Sequence, residues 1–499
     1  MRPLSKSKLL AFRQCPKKLW LELHGPKPPK PDAQTQARFD DGHDVGGIAQ
    51  RLYDPKGKGT VFEPAEQGYD EVIMRTDEEI ESFKPLFEAG FNANGARAYV
   101  DAMLPVRRGG QRVWRMVEVK STTEVKETHR DDIAIQAYIA RASGVELHST
   151  SVAHIDANWK YPGSGDYQGF LTEVDLTDEA LGREEEVQQW IARAQTVANK
   201  RKEPKVDVGR HCTQPYECAF IGHCQRDSAA AKFPIEWLPG GKSAGLRDHV
   251  ETNGTTDLRH VPDDCLNAKQ LRVKKHTLSG DVYFDAAAAS KALAHLKFPA
   301  LFLDFESINL TIPIWKGTSP FQQIPFQFSL HRLSHTGKLT HQEFLDLSGK
   351  DPSRKIAEAL IAACGERGPI FVYSSFERTR IRDLAKRFPK LARSLQAIDE
   401  RLVDLLPIAQ DHYYHPDQQG SWSIKNVLPT VAPDLLYEEL DGVQNGGMAV
   451  LAFREAIDPT TTAARKDEIK RQLLDYCGLD TYAMVKLWQF FSGRNDIRI

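Results

Sequence analysis

Two stretches of the chain place carboxylates where regular structure would aim them together. In ALFLDFESI, Asp304 and Glu306 are two residues apart, so a strand turns both to one face, with Phe302 and Ile308 beside them. Adjacent acids on a partly apolar face are costly unless a cation neutralises them. Near the end of the chain, Ile469, Leu473, Tyr476, Met484 and Leu487 form an apolar stripe at helical spacing, and Asp480 falls on it four residues after Tyr476. A metal shared with Asp304 would give that acid a partner. The second stretch is ARAYVDAMLPV followed by QRVWRMVEVKST, which predicts two strands joined by the hairpin RRGGQ. Glu118 and Lys120 share a face of the later strand, and Asp101 lies in the earlier one. Carboxylates converging from neighbouring strands can hold Mg²⁺ or Mn²⁺, and a lysine beside them can orient or deprotonate the attacking water. The competing reading is a solvated hairpin face with a Glu/Lys pair.

Thiols form a third group. Of seven cysteines, Cys212, Cys218 and Cys224 fall within thirteen residues, and Cys15 lies in FRQCPKKLW, where Pro16 separates two short helical stretches. An odd count is a poor disulfide framework. Four thiolates suit tetrahedral zinc or an iron–sulfur cluster, and the open five-residue spacings lean away from zinc.

The elements that must position these residues fall into three regions. Residues 1–228 carry the cysteine frame and a mixed α/β pattern, including a helix over DDIAIQAYIARA with Gln136 and Tyr138. Residues 229–295 are polar and punctuated, with short helical stretches, and read as a helical connector. Residues 296–499 predict strands at ALFLDFESI, IPFQFSLHRL, LTHQEFLDL and PIFVYSSF, with helices over 353–365, 377–388 and 391–406. The expected class is α/β throughout. Neither G-x-x-x-x-G-K-[ST] nor G-x-G-x-x-G occurs, which argues against an ATP motor.

The order of parts in residues 1–228 resembles the iron–sulfur branch of the RecB-like PD-(D/E)XK nucleases. A cysteine in the first helical segment is followed by D…E-x-K, Q-x-Y on a helix and three closing cysteines. The resemblance implies a restriction-endonuclease-like domain in which Cys15, Cys212, Cys218 and Cys224 ligate a [4Fe–4S] cluster. It implies a nuclease centre at Asp101, Glu118 and Lys120, supported by Gln136 and Tyr138. The metal-binding histidine of many relatives has no clear counterpart: His43 directly follows Gly42, and Glu88 in FEAGF is a compensating acid. The closing trio also opens with a five-residue gap where many relatives have two.

Residues 298–495 resemble the DnaQ/RNase H-like exonucleases of DEDD type, tyrosine subtype, through D-F-E on a first strand and Y-x-x-x-D on a last helix. There the acids bind two metal ions for in-line attack on a phosphodiester, and the tyrosine orients the water. The implied set is Asp304, Glu306, Tyr476 and Asp480. A further acid is Glu377, directly after a strand in VYSSFERTR, with Asp404 as its competitor. The fused arrangement resembles a bacterial family of predicted RecB-type nucleases with an uncharacterised C-terminal domain.

Charge is balanced, 66 Lys+Arg against 68 Asp+Glu with a formal net charge of -2, so a nucleic-acid partner must be met by local surfaces. One is the run Arg193, Lys200, Arg201, Lys202, Lys205, Arg210. Another is Arg272-Lys274-Lys275-His276, closing a stretch faintly like a helix-hairpin-helix. The N-terminal residues lack an apolar leader and no run reaches membrane-span length, so the expected location is the cytoplasm. The expectation is a Mg²⁺- or Mn²⁺-dependent nuclease cutting DNA that is single-stranded or has free ends, with RNA as the other candidate substrate. Two alternatives stand: a nucleic-acid-binding protein with one or both centres inactive, and a zinc-framed regulatory protein.

Overall fold

The computed structural model describes residues 3–226 and 231–494. The chain is mixed α/β and divides into two compact units: Met1–Ala229 with Leu310–Phe321, and Ala230–Asn309 with Gln322–Ile499.

The first unit is built on a seven-stranded mixed sheet. Its strands are β1 (Leu4–Ser5), β2 (Thr60–Val61), β3 (Leu86–Ala93), β4 (Ala96–Arg108), β5 (Gln111–Lys120), β6 (Leu147–Ile155) and β7 (Leu171–Asp175). They lie in the order β2-β3-β4-β5-β6-β7, with β1 pairing on β4. The helix Glu127–Ala142 is buried almost along its length because apolar residues of β3–β6 cover it. Helix Ala33–Tyr53 carries Val45 and Ile48 into a smaller cluster with Ile155 and Phe170. Ile312 and Phe321 complete that cluster, which is why residues 310–321 belong to this unit. The segment is tied by Tyr161 N to Thr318 O (2.9 Å), Gly317 N to Tyr161 O (2.8 Å) and Thr311 Oγ1 to Asp41 Oδ2 (2.7 Å).

The second unit holds a two-stranded pair, β8 (Tyr283–Phe284) with β14 (Tyr413–Tyr414), and a five-stranded sheet. The latter comprises β9 (Ala300–Asn309), β10 (Gln323–Leu333), β11 (Leu339–Leu345), β12 (Ile370–Val372) and β13 (Leu402–Asp404) in the order β11-β10-β9-β12-β13. The first three are antiparallel neighbours, and β9, β12 and β13 run parallel. The last helix, Ala463–Ser492, starts on a Thr462 cap and stops at Gly493, whose φ of 72° is open to glycine and strained for other residues.

Two expectations change here. The helix expected over 391–406 ends at Asp399, and Leu402–Asp404 is a sheet strand. Apolar spacing alone continues the helix, but the Arg401 guanidinium donates to the carbonyls of Cys364, Gly365, Arg367 and Gly368 and holds the chain extended beside β12. The residues expected as a connector have no core of their own. Leu246, Leu258, Val273, Ala289 and Leu293 pack with Phe302, Phe371 and Trp488. Helices Ala244–Asn253 and Ala268–Ser279 are joined by a link containing two 3₁₀ turns, too long for a tight hairpin. Among the described residues, no helix is long and apolar enough to cross a membrane.

Candidate functional site

In the second unit, β9 aims Asp304 and Glu306 to the face covered by helix Ala463–Ser492. That helix is held in register by Gln327 Nε2 donating to Leu473 O (2.7 Å) and by the Ser329–Thr481 hydroxyl pair (2.6 Å). Asp480 is thereby brought to β9, and single oxygens of Asp304, Glu306 and Asp480 lie within 4.8 Å of one another, a spacing suited to a shared cation. Glu377, the first-turn acid of helix Phe376–Arg387, is 3% exposed and lines the same cleft as Asp304, whose carboxyl it helps to raise. Asp404 caps the helix Leu405–His412 by accepting from Leu406 N (2.9 Å), and its charge reaches Glu377. The structure thus joins Glu377 to the centre and leaves Asp404 adjacent as a helix cap.

Burial, then mutual repulsion, pushes the Asp304 and Glu306 carboxyls well above their ordinary range. Burial lifts Glu377 to about 7 and Asp480 to about 6. A divalent ion would remove this stress. A cleft of about 380 Å³ opens beside the acids, lined by Asp304, Tyr373, Glu377, Trp422, Asp480 and Met484.

Tyr476 is 4% exposed and stands close enough to Asp480 to favour its ionised form. Sequence reasoning missed two neighbours. Tyr437 donates its hydroxyl to Asp480 Oδ1 at 2.6 Å. Lys425 Nζ lies 4.8 Å from the Tyr437 ring centre and 5.0 Å from that of Tyr476, and its charge offsets Glu306 and Asp480.

In the first unit, the acids stand where the sheet changes phase. Leu86, Ala89, Val100 and Met103 pack in one core cluster, whereas Phe87 and Ala102 pack in another. Alternation therefore shifts by one residue at Glu88 and, opposite it, at Asp101. Glu88 takes the strained φ of 56° that this shift demands. The β4–β5 ladder stops at Ala102–Val117, and the freed Val119 N–H donates to Asp101 Oδ2 at 2.7 Å. Glu118 follows on β5, 2% exposed, so three acids from adjacent strands gather at this opening.

Lys120 Nζ donates to Glu118 Oε1 (2.5 Å) and Asp132 Oδ2 (2.6 Å). Gln136 Nε2 donates to Glu118 Oε2 (2.8 Å) and Asp132 Oδ1 (2.9 Å). Lys6 Nζ reaches Glu118 Oε1 at 2.9 Å, because β1 occupies the flank of β4 that β5 has left. Burial, with Asp101 and Asp132 adding to it, lifts Glu118 to about 7. Burial would raise Asp132 too, but Lys120 and Lys6 outweigh it and hold that carboxyl well below its usual range. Burial raises Glu88, and the Lys6 ammonium is the first charge to oppose that rise; exposed His43 lies on the same side.

Tyr138 stands elsewhere. Residues two apart on a helix point ~200° apart, so Tyr138 turns away from Gln136. Its hydroxyl accepts from Asn94 Nδ2 (2.6 Å) in a groove with Gln188 and Gln195. Lys6 and Asp132 were missed; Asp132, four residues before Gln136 on an apolar helix, was the signal available.

Cys15, Cys212, Cys218 and Cys224 line one small pocket, the first three buried, and all are free thiols. Gln14 Nε2 donates to His211 O (2.8 Å) and Tyr216 O (2.7 Å), which brings the first helix to the closing segment. The four cysteines thus share a pocket lining, while among the described residues the ligand set at single-ion spacing is the Asp304, Glu306 and Asp480 group. The basic run from Arg193 to Arg210 is exposed. Of the later cluster, Arg272 donates to Gln410 O and Asp411 O, and Lys274 to Val261 O and Asp263, so these two cations have partners within the unit.

These centres lie in a chain that resembles others. Residues 301–423 match the model of a domain of unknown function, DUF2779. The match contains Asp304, Glu306, Glu377 and Asp404 and stops before Tyr476 and Asp480. The chain is also 28% identical over 221 residues to the Uncharacterized protein MG366 homolog of Mycoplasma pneumoniae, covering 40% of this chain and 32% of that protein. The chain therefore spans about a third of the length of this relative.

Proposed function

We propose that the protein is a metal-dependent nuclease that hydrolyses phosphodiester bonds of DNA through two carboxylate centres. The observation that carries this reading is the approach of Asp304, Glu306 and Asp480 within 4.8 Å, with Glu377 lining the same cleft and Lys425 the cation that offsets Glu306 and Asp480. Such a set is stable as carboxylates only around a cation. Asp304, Glu306 and Asp480 would hold Mg²⁺ or Mn²⁺, which polarises the phosphodiester and lowers the pKa of a water. Tyr476 and Tyr437 would orient that water through Asp480. Water would add to phosphorus as the P–O ester bond breaks, Glu377 as carboxylate would accept the water's proton, and the departing oxygen would take a proton from solvent.

In the first unit, Asp101 and Glu118 would bind the ion, with Glu88 and His43 beside them and Lys120 next to the attacking water. The cysteine pocket would hold a [4Fe–4S] cluster that joins the first helix to the closing segment. The second-unit cleft is large enough for a nucleotide, and the exposed run 193–210 offers positive charge to a phosphate backbone. End-labelled single-stranded DNA and RNA, incubated with and without Mn²⁺, test the proposal: DNA should be shortened only with the ion. Absence of cleavage under every metal condition would overturn it.

A further inference from the structure

Lys6 follows β1 directly, and the Leu4–Ala96 and Ser5–Arg97 pairings fix where its side chain starts. Its Nζ lies 2.9 Å from Glu118 Oε1 and 3.6 Å from Asp132 Oδ1. Glu118 Oε1 also receives Lys120 Nζ at 2.5 Å, so one carboxylate oxygen carries two ammonium groups. Lys120 already bridges both acids, and Lys6 adds a second positive charge where a divalent ion on Glu118 would bring its own. The Lys6 side chain is 23% exposed against 2% for Glu118, so the lysine keeps a path to solvent that the acid lacks. A compact ammonium on a flexible stem can leave one anion for another without backbone movement.

Resting on the nuclease reading of Asp101 and Glu118, we infer that Lys6 is a second working lysine of the first-unit centre. It holds the place of the divalent cation on Glu118 and Asp132, and turns to the phosphodiester of the substrate when that cation binds. A metal ion and an ammonium repel one another on a shared carboxylate, whereas a metal-bound phosphate presents the lysine with a new anion within reach. Lys6 is then a substrate-binding group whose resting contact offsets negative charge in the empty centre.

The test uses the full chain with Asp304→Asn, which silences the second-unit centre. Lys6→Met and Lys6→Arg are compared in that background by Mn²⁺ titration calorimetry and by the KM for labelled single-stranded DNA. Removing a competing charge a few ångströms away should tighten Mn²⁺ binding of Lys6→Met about tenfold, and the lost phosphate contact should raise KM about tenfold. Lys6→Arg should stay near the parent in both. An unchanged Mn²⁺ affinity, an unchanged KM, or failure of Lys6→Met to fold would each make Lys6 a structural pin and overturn the inference. Asp101→Asn in the same background separates the two readings. Loss of Mn²⁺ binding there supports the centre; retained binding, or no cleavage by the parent, overturns the centre itself.

Discussion

Tyr437 donates a 2.6 Å hydrogen bond to Asp480 Oδ1 from a segment 43 residues earlier in the chain. This bond, with Lys425 and Tyr476, favours the ionised form of a carboxyl that burial otherwise lifts. Removing it should make Asp480 harder to ionise. In Tyr437→Phe, the pH of half-maximal Mn²⁺ binding is expected to move up by roughly one unit. Calorimetric titrations between pH 5 and pH 8 measure it, and an unshifted midpoint contradicts the assigned role.

The metal-free protein should lose stability as pH rises. Asp480 near 6 and Glu377 near 7 lie above the ordinary carboxylate values of the unfolded chain. Their contribution is fully present below about pH 4 and is lost as pH rises through 6 to 7, because the folded state retains protons the unfolded state releases. The difference is expected to be on the order of 3 kcal/mol between pH 5 and pH 8. Saturating Mn²⁺ should abolish it. Denaturant titrations with EDTA and with Mn²⁺ provide the comparison, and equal metal-free stabilities at the two pH values would count against the buried-acid account.

On the proposed cluster reading, Cys15→Ser should abolish cluster binding in the anaerobically purified protein. The expected signature is loss of a broad absorbance near ~400 nm and of bound iron. Helices Lys6–Gln14 and Pro16–His24 should then become the first protease-sensitive part of the first unit, since Gln14 is their hydrogen-bonded tie to His211 and Tyr216. Stoichiometric zinc in place of iron in the parent would sink the cluster assignment.

Expression of residues 1–229 without 310–321 should yield a unit with an uncovered aromatic group. Ile312 and Phe321 pack on Val45, Ile48, Ile155 and Phe170, and Tyr167 donates to Pro313 O at 3.3 Å. Such a fragment is expected to bind a hydrophobic dye and melt several degrees below the same unit in the full chain. A peptide spanning 308–323 added in trans should reverse part of the effect; a fragment as stable as the full-length unit contradicts the packing argument.

The acids of β9 and the last helix were legible because periods of two and 3.6 govern which residues share a face, and both elements are regular. Density alone marked Cys212, Cys218 and Cys224, whereas Cys15, distant in sequence, was joined to them by the family resemblance. Lys6 was not, because its partner Glu118 is 112 residues away and only the pairing of β1 with β4 brings them together. Tyr437 and Lys425 come from irregular or short elements whose direction no periodicity sets. Glu88 could be named as an acid but not placed, since the phase shift that aims it is a backbone event. Strand β13 was hidden for the opposite reason: its local pattern is helical, and Arg401 overrides it through four carbonyls.

The most direct measurement of the central claim is Mn²⁺-dependent cleavage of labelled single-stranded DNA by full-length Asp304→Asn, Asp101→Asn and the double variant. Each single variant should lose a distinct fraction of product and the double variant should lose all of it, while far-ultraviolet circular dichroism stays that of the parent. Undiminished cleavage by the double variant would show that neither carboxylate centre does the chemistry.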